Sequence, residues 1–102
     1  MIWGRPAVPE SGACFYEDPG FQGRYFCAAV GDAVDMVPPG MNDRISSIRV
    51  FGEAEVTAFK DRDFQGEGRR FGRDMADLRS SGFNDRISSF RVDGRGRFRP
   101  RP

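Results

Sequence analysis

The hexapeptide NDRISS stands at residues 42–47 and again, letter for letter, at residues 84–89. Its two copies are 42 residues apart. Sliding the chain against itself at almost that offset brings FYEDPGFQG (15–23) over AFKDRDFQG (58–66), with Tyr16 over Phe59, Phe21 over Phe64 and Gly23 over Gly66 at a spacing of 43. Two anchors that differ by a single residue in offset mark a tandem duplication, roughly 14–51 and 56–92.

Each unit reads as short strands divided by turns. ACFYE and RYFCAAV flank DPGFQG, and ISSIRVF closes the first unit; EVTAFK, GRRF and ISSFRV follow the same plan in the second. The runs are aromatic or β-branched and bounded by Gly, Pro, Asp and Asn, which is strand and turn chemistry. Ile48 and Val50, and likewise Phe90 and Val92, alternate with polar neighbours as in a half-buried strand. Helical signal is limited to RDMADLRSS (73–81), a short turn at most, whose counterpart is stopped by Pro38 and Pro39. Four strands per unit cannot bury a face alone, so the two units are expected to pack as one all-β sandwich over residues 13–93, with units at 13–52 and 55–93.

Composition narrows the chemistry. A chain of 102 residues is one compact unit by length and leaves no room for a large catalytic cavity. Ten Phe and one Leu, Leu78, suit a small core of bulky rings. With no His and two Cys, the usual tetrahedral zinc site and the Ser-His-Asp and Cys-His catalytic arrangements are excluded, and no enzyme is expected. The net charge of +1 is uneven: without Arg95, Arg97, Arg99 and Arg101 of the closing RGRFRPRP, 12 basic residues face 15 acidic ones. Such a body suits a cation better than a phosphate backbone, so no nucleic-acid partner is expected. The Arg tail (94–102) and the stretch 1–12, which carries Trp3, are expected to be flexible. No apolar run reaches membrane-spanning length, and MIWGRPAVPESG lacks the charged and apolar regions of a signal peptide.

Both units carry an aromatic, four residues, an aromatic, one residue and a glycine, followed before the last strand by Asn-Asp-x-x-Ser-Ser. This paired signature resembles the βγ-crystallin superfamily, in particular its calcium-binding microbial-type domains, over about 80 of the 102 residues. The resemblance implies two Greek-key motifs and two Ca2+ ions, each held by loops of both motifs. Position by position it implies side-chain ligation by Asp43 and Asp85, hydroxyl ligation by Ser46 and Ser88, and backbone carbonyls at Arg44, Arg86, Glu17 and Lys60. Asn42 and Asn84 are expected to brace the loops by hydrogen bonds to backbone. Oxygen-only donors of mixed kind agree with calcium, which takes six to eight hard ligands at about 2.3–2.6 Å. The sequence leaves open which serine closes which site. Since Glu17 offers a carboxylate where the second unit has Lys60, the Glu17 site is expected to bind more tightly.

Gly23 and Gly66 are read as structural glycines of folded hairpins. For Cys14 and Cys27 a disulfide and two buried thiols both fit the sequence; resemblance to exported relatives favours the disulfide, and with it a secreted or cell-surface location. The stretch ACFYEDPGFQGRYFC is also similar to secreted protease inhibitors on a crystallin-like fold. Two functions therefore follow from the sequence: a non-catalytic domain stabilised by calcium, or a secreted protease inhibitor.

Overall fold

A computed structural model describes residues 11–38 and 40–94. Trp3, Pro39, the stretch 1–10 and the Arg tail from 95 onward lie outside the described residues. Among the described residues seven strands form: β1 (Gly12–Asp18), β2 (Gln22–Ala29), β3 (Ala33–Val34), β4 (Ser47–Phe51), β5 (Ala54–Asp61), β6 (Gln65–Phe71) and β7 (Ser89–Gly94). They make two antiparallel sheets, ordered β2-β1-β4 and β3-β7-β5-β6. Among the described residues there is no α-helix, and no helix long and apolar enough to cross a membrane. The expected turn within 73–81 is one 3-10 turn at Leu78–Ser81.

Each repeat lends its third segment to the other's sheet. β3 belongs by sequence to the first repeat but pairs with β7 of the second, Ala33 opposite Arg91 and Val34 opposite Phe90. In return, Met75 of the second repeat bridges Ile48 on β4, with Met75 N donating to Ile48 O (2.7 Å) and Ile48 N to Met75 O (2.9 Å). This exchange ties the two Greek keys together, and in the second repeat the third strand has shrunk to that one bridge.

Alternation places the core. On β5, Ala54, Val56 and Ala58 are buried while Glu55, Thr57 and Phe59 are partly exposed; on β7, Phe90 and Val92 point inward. Phe15, Phe26 and Phe90 meet between the sheets at ring separations of 5.1, 4.2 and 5.9 Å. Around them close Ile45, Ile48, Ile87, Leu78, Met41 and Phe83, all with at most 1% exposure. Ile45 and Ile87 are the central letters of NDRISS, so the same hexapeptide that carries polar atoms at the surface anchors itself in the core.

The folded hairpins are built alike. Tyr16 and Phe21, and Phe59 and Phe64, each pack edge-on at 5.8 Å. Phe21 and Phe64 sit at φ +62° and +59°, a costly conformation for a bulky residue. It is held by the last serine of each hexapeptide: Phe21 N donates to Ser47 Oγ (3.0 Å), which donates to Asp18 O (2.6 Å), and Phe64 N donates to Ser89 Oγ (2.9 Å), which donates to Asp61 O (2.6 Å). Gly23, at φ +83°, lies so close to Asp18 that a Cβ would stand 2.7 Å from Oδ2. Cys14 and Cys27 face each other across β1 and β2 and are joined by a disulfide.

Candidate metal centre

The loops 42–47 and 84–89 face each other across the pseudo-twofold relation of the repeats. Asp43 N donates to Ile87 O (3.3 Å) and Asp85 N to Ile45 O (2.9 Å), so each loop is tied to the other by its own second residue. Asp43 and Asp85 adopt φ +60° and +57°, a left-handed conformation that short polar side chains tolerate. The side chains cross as well. Ser46 Oγ donates to Asp85 Oδ1 (3.2 Å), and Ser88 Oγ donates to Asp43 Oδ1 (3.1 Å). The structure therefore groups Ser46 with Asp85 and Ser88 with Asp43, an arrangement the identical letters of the two loops left open.

The hairpins complete each group. Ser46 N donates to Tyr16 O (2.8 Å) and Ser88 N to Phe59 O (3.0 Å), which brings Glu17 beside Ser46 and Lys60 beside Ser88. The ladder register shifts between Tyr16 and Asp18 and again between Phe59 and Asp61. Between these pairs Glu17 on β1 faces two residues of β2, Gly23 and Arg24, and Lys60 on β5 faces Gly66 and Glu67 of β6, so each shift is a bulge whose extra residue lies on the second strand of the hairpin. Arg44 and Arg86 follow the two aspartates at the exposed surface.

Two expectations change. Asn84 was expected to brace its loop, but its Oδ1 is buried without a hydrogen-bond partner, and Asn42 makes no side-chain hydrogen bond among the described residues. Bracing falls instead to the Asp43 and Asp85 amides and to Ser47 and Ser89, whose exposure is 0%. The second concerns Glu17. Its carboxylate is taken by Arg24, with Nη2 at 2.7 Å and Nε at 3.3 Å, and the Arg24 hydrogen bonds hold it below the usual carboxylate range. At the equivalent positions of the second hairpin the charges are exchanged: Lys60 Nζ stands 2.9 Å from Glu67 Oε1. Each hairpin thus carries one carboxylate and one cation, and a difference in affinity cannot be read from Glu17 and Lys60 alone.

An open depression beside Lys60 is lined by Asp43, Asp61, Glu67, Asn84, Asp85, Arg86 and Lys60 itself. No group of three or more His, Cys, Asp or Glu side chains placed for a metal occurs among the described residues. Each half-site offers one paired carboxylate with a buried serine hydroxyl and backbone carbonyls nearby. That donor set is hard and oxygen-only, which disfavours soft transition metals and suits calcium. Sequence reasoning missed Ser47 and Ser89 as hairpin clasps and Arg24 and Glu67 as partners; the matched offsets of 42 and 43 were the signal for both.

Duplicated Greek keys that trade their third strands across one core, with an Asn-Asp-x-x-Ser-Ser loop in each, define a βγ-crystallin sandwich. Solved structures bear this out. The βγ-crystallin domain of Abundant Perithecial Protein from Neurospora crassa, in its Ca2+-bound form, is 30% identical, with 92% of this chain and 100% of that one covered and a TM-score of 0.75. A βγ-crystallin domain from Flavobacterium johnsoniae is 25% identical over 84% of this chain and 98% of its own, with a TM-score of 0.72. A structure from work on the evolution of the eye-lens βγ-crystallin domain fold is 28% identical over 91% and 96%, with a TM-score of 0.80. No curated protein matches in sequence. The chain belongs to the βγ-crystallin superfamily and, through a match over residues 5–71, to peptidase inhibitor family I36.

Proposed function

We propose that residues 13–93 form one non-catalytic unit that binds two Ca2+ ions through the paired NDRISS loops and is stabilised by them. The observation that carries this reading is the reciprocal pairing of Ser46 with Asp85 and Ser88 with Asp43. A serine hydroxyl buried to 5–6% exposure and aimed at a carboxylate of the opposite repeat concentrates oxygen donors at two equivalent points. The buried, unpartnered Oδ1 of Asn84 beside one of them is a further acceptor in want of a positive partner. The residues therefore fit the ion, and the calcium-bound relative from Neurospora crassa supports the same reading.

One site would be held by Asp85, Ser46 and the carbonyl of Glu17, the other by Asp43, Ser88 and the carbonyl of Lys60, with the carbonyls of Arg44 and Arg86 alongside. When bound, calcium supplies a divalent charge that neutralises the aspartates and crosslinks loops from both repeats. The loops supply the rest. The backbone N–H groups of Ser46 and Ser88 donate hydrogen bonds to Tyr16 O on β1 and Phe59 O on β5, so the oxygen groups are preorganised by the sheets. An ion that binds the folded state alone adds about 2.7 kcal/mol at a hundredfold excess over Kd, a large share of the stability of a domain this small.

Thermal unfolding in chelator, calcium and magnesium tests this. The expected result is a rise in Tm of several degrees with calcium, little with magnesium, and no calcium response in a Ser46→Arg plus Ser88→Arg variant. Equal Tm in chelator and calcium would contradict it.

A second reading, a secreted inhibitor of peptidases, is favoured by the match to peptidase inhibitor family I36 and by the Cys14–Cys27 disulfide. The disulfide also supports a secreted or cell-surface location, since such bonds persist in oxidising compartments. Inhibition assays against secreted peptidases, run with calcium and with chelator, separate the two: inhibition of equal strength in both would favour the inhibitor.

A further inference from the structure

The two hairpins hold the same ion pair with its charges exchanged. Glu17 and Lys60 occupy equivalent positions, and so do Arg24 and Glu67. From this exchange we infer that Glu67 is a further carboxylate of the Lys60-side cation site, and that the Lys60 ammonium competes with the ion for it. The inference rests on the calcium reading above and assigns that site a residue outside its signature.

Three observations carry it. The depression that contains Asp43 is also lined by Glu67 and Lys60, and its carboxylates (Asp43, Asp61, Glu67 and Asp85) outnumber its cations, Lys60 and Arg86, although as they stand no three of them are grouped to share one ion. Its surplus is negative, and a tethered ammonium already occupies it.

The two pairs also differ in how firmly they are closed. Arg24 grips Glu17 through Nε and Nη2, and Nη2 also donates to Gly40 O (3.2 Å), so its guanidinium is held by two partners. Lys60 meets Glu67 by a single contact and rests over the Phe83 ring at 4.9 Å. A lysine is a point charge on a flexible stem, whereas an arginine fork is geometrically committed. Glu67 is therefore the releasable carboxylate and Glu17 the locked one.

Exposure agrees. The Glu67 side chain is 66% exposed and held by its one contact to Lys60, while Glu17 is 24% exposed under Arg24. An entering divalent ion beside Asp43 repels the Lys60 ammonium and attracts the Glu67 carboxylate, so one movement removes a competitor and adds a ligand.

The test is a calorimetric calcium titration of the full chain in single-site backgrounds. Ser46→Arg leaves the Asp43–Ser88 site for measurement, and Ser88→Arg leaves the Asp85–Ser46 site. In the first background, Glu67→Gln is expected to weaken binding about tenfold, the scale of losing a supporting group at a metal site. Lys60→Met in the same background is expected to strengthen it. In the second, Glu17→Gln is expected to change binding by less than about twofold, in keeping with an exposed ion pair. Unfolding in chelator checks that each variant is folded. Unchanged binding in Glu67→Gln, or no gain in Lys60→Met, overturns the inference while leaving the calcium reading intact. A wild-type chain that binds no calcium overturns both.

Discussion

Ser47 and Ser89 each satisfy two backbone groups at once, the amide of a phenylalanine at positive φ and a carbonyl three residues before it. Neither serine is exposed, so water does not replace the lost bonds when the hydroxyl is removed. Ser47→Ala or Ser89→Ala is expected to cost about 1–3 kcal/mol, the penalty of a buried polar group left unpaired. Urea unfolding measures it, and a change within error would show that the hairpins hold themselves. Ser46 and Ser88 sit one residue earlier and behave differently: their hydroxyls point to the opposite repeat, so Ser46→Ala is expected to weaken calcium binding more than it lowers Tm in chelator. Adjacent letters of one hexapeptide thus divide into a hairpin clasp and, in the proposed reading, a calcium ligand.

Among the elements, the β1–β2 hairpin is the one with a covalent staple. The Cys14–Cys27 bond closes a loop with a sequence separation of 13, and in the chain-entropy account a loop of that size contributes about 3 kcal/mol. Reduction, or a Cys14→Ala plus Cys27→Ala variant, is expected to lower stability by that order in chemical denaturation. The 3-10 turn at Leu78–Ser81 has an acid-sensitive cap. Asp77 accepts from Arg79 Nε and Nη2 and also from Arg79 N, and these bonds, the side-chain ones above all, hold its carboxyl down at about 2 from 3.8. Because the folded value is depressed, the contribution is present above the unfolded value and is lost as pH falls from about 4 toward about 2. Asp77→Asn is expected to flatten that part of a Tm-against-pH curve. At this scale the sequence was legible wherever a strand had four or more patterned residues, as in β1, β2, β5 and β7. It was silent on the exchange of third segments, because β3 is two residues long and its counterpart is the single bridge at Met75; no period can show in so few residues. The residue types proposed for the site could be named from the sequence, but their pairing could not. Identical loops give no sign of which serine meets which aspartate, and the grip of Arg24 on Glu17 depends on a hairpin register that the letters do not print.

At the scale of the whole molecule, duplication explains why one short motif serves both fold and site. Ile45 and Ile87 fill the shared core while Asp43 and Asp85 stand over it, so an ion held as proposed by the loops would be mechanically coupled to packing between the sheets. Truncating the ring that joins both halves, Phe90→Ala, is expected to cost about 3–5 kcal/mol and to weaken calcium binding through the same loops. The most direct test of the account is the calcium stoichiometry of the chelator-stripped chain by calorimetry, compared with that of Ser46→Arg alone. The account predicts two ions for the wild type and one for the variant, the survivor belonging to Asp43 and Ser88. Loss of both ions together, or retention of two, would contradict the crossed pairing of the loops.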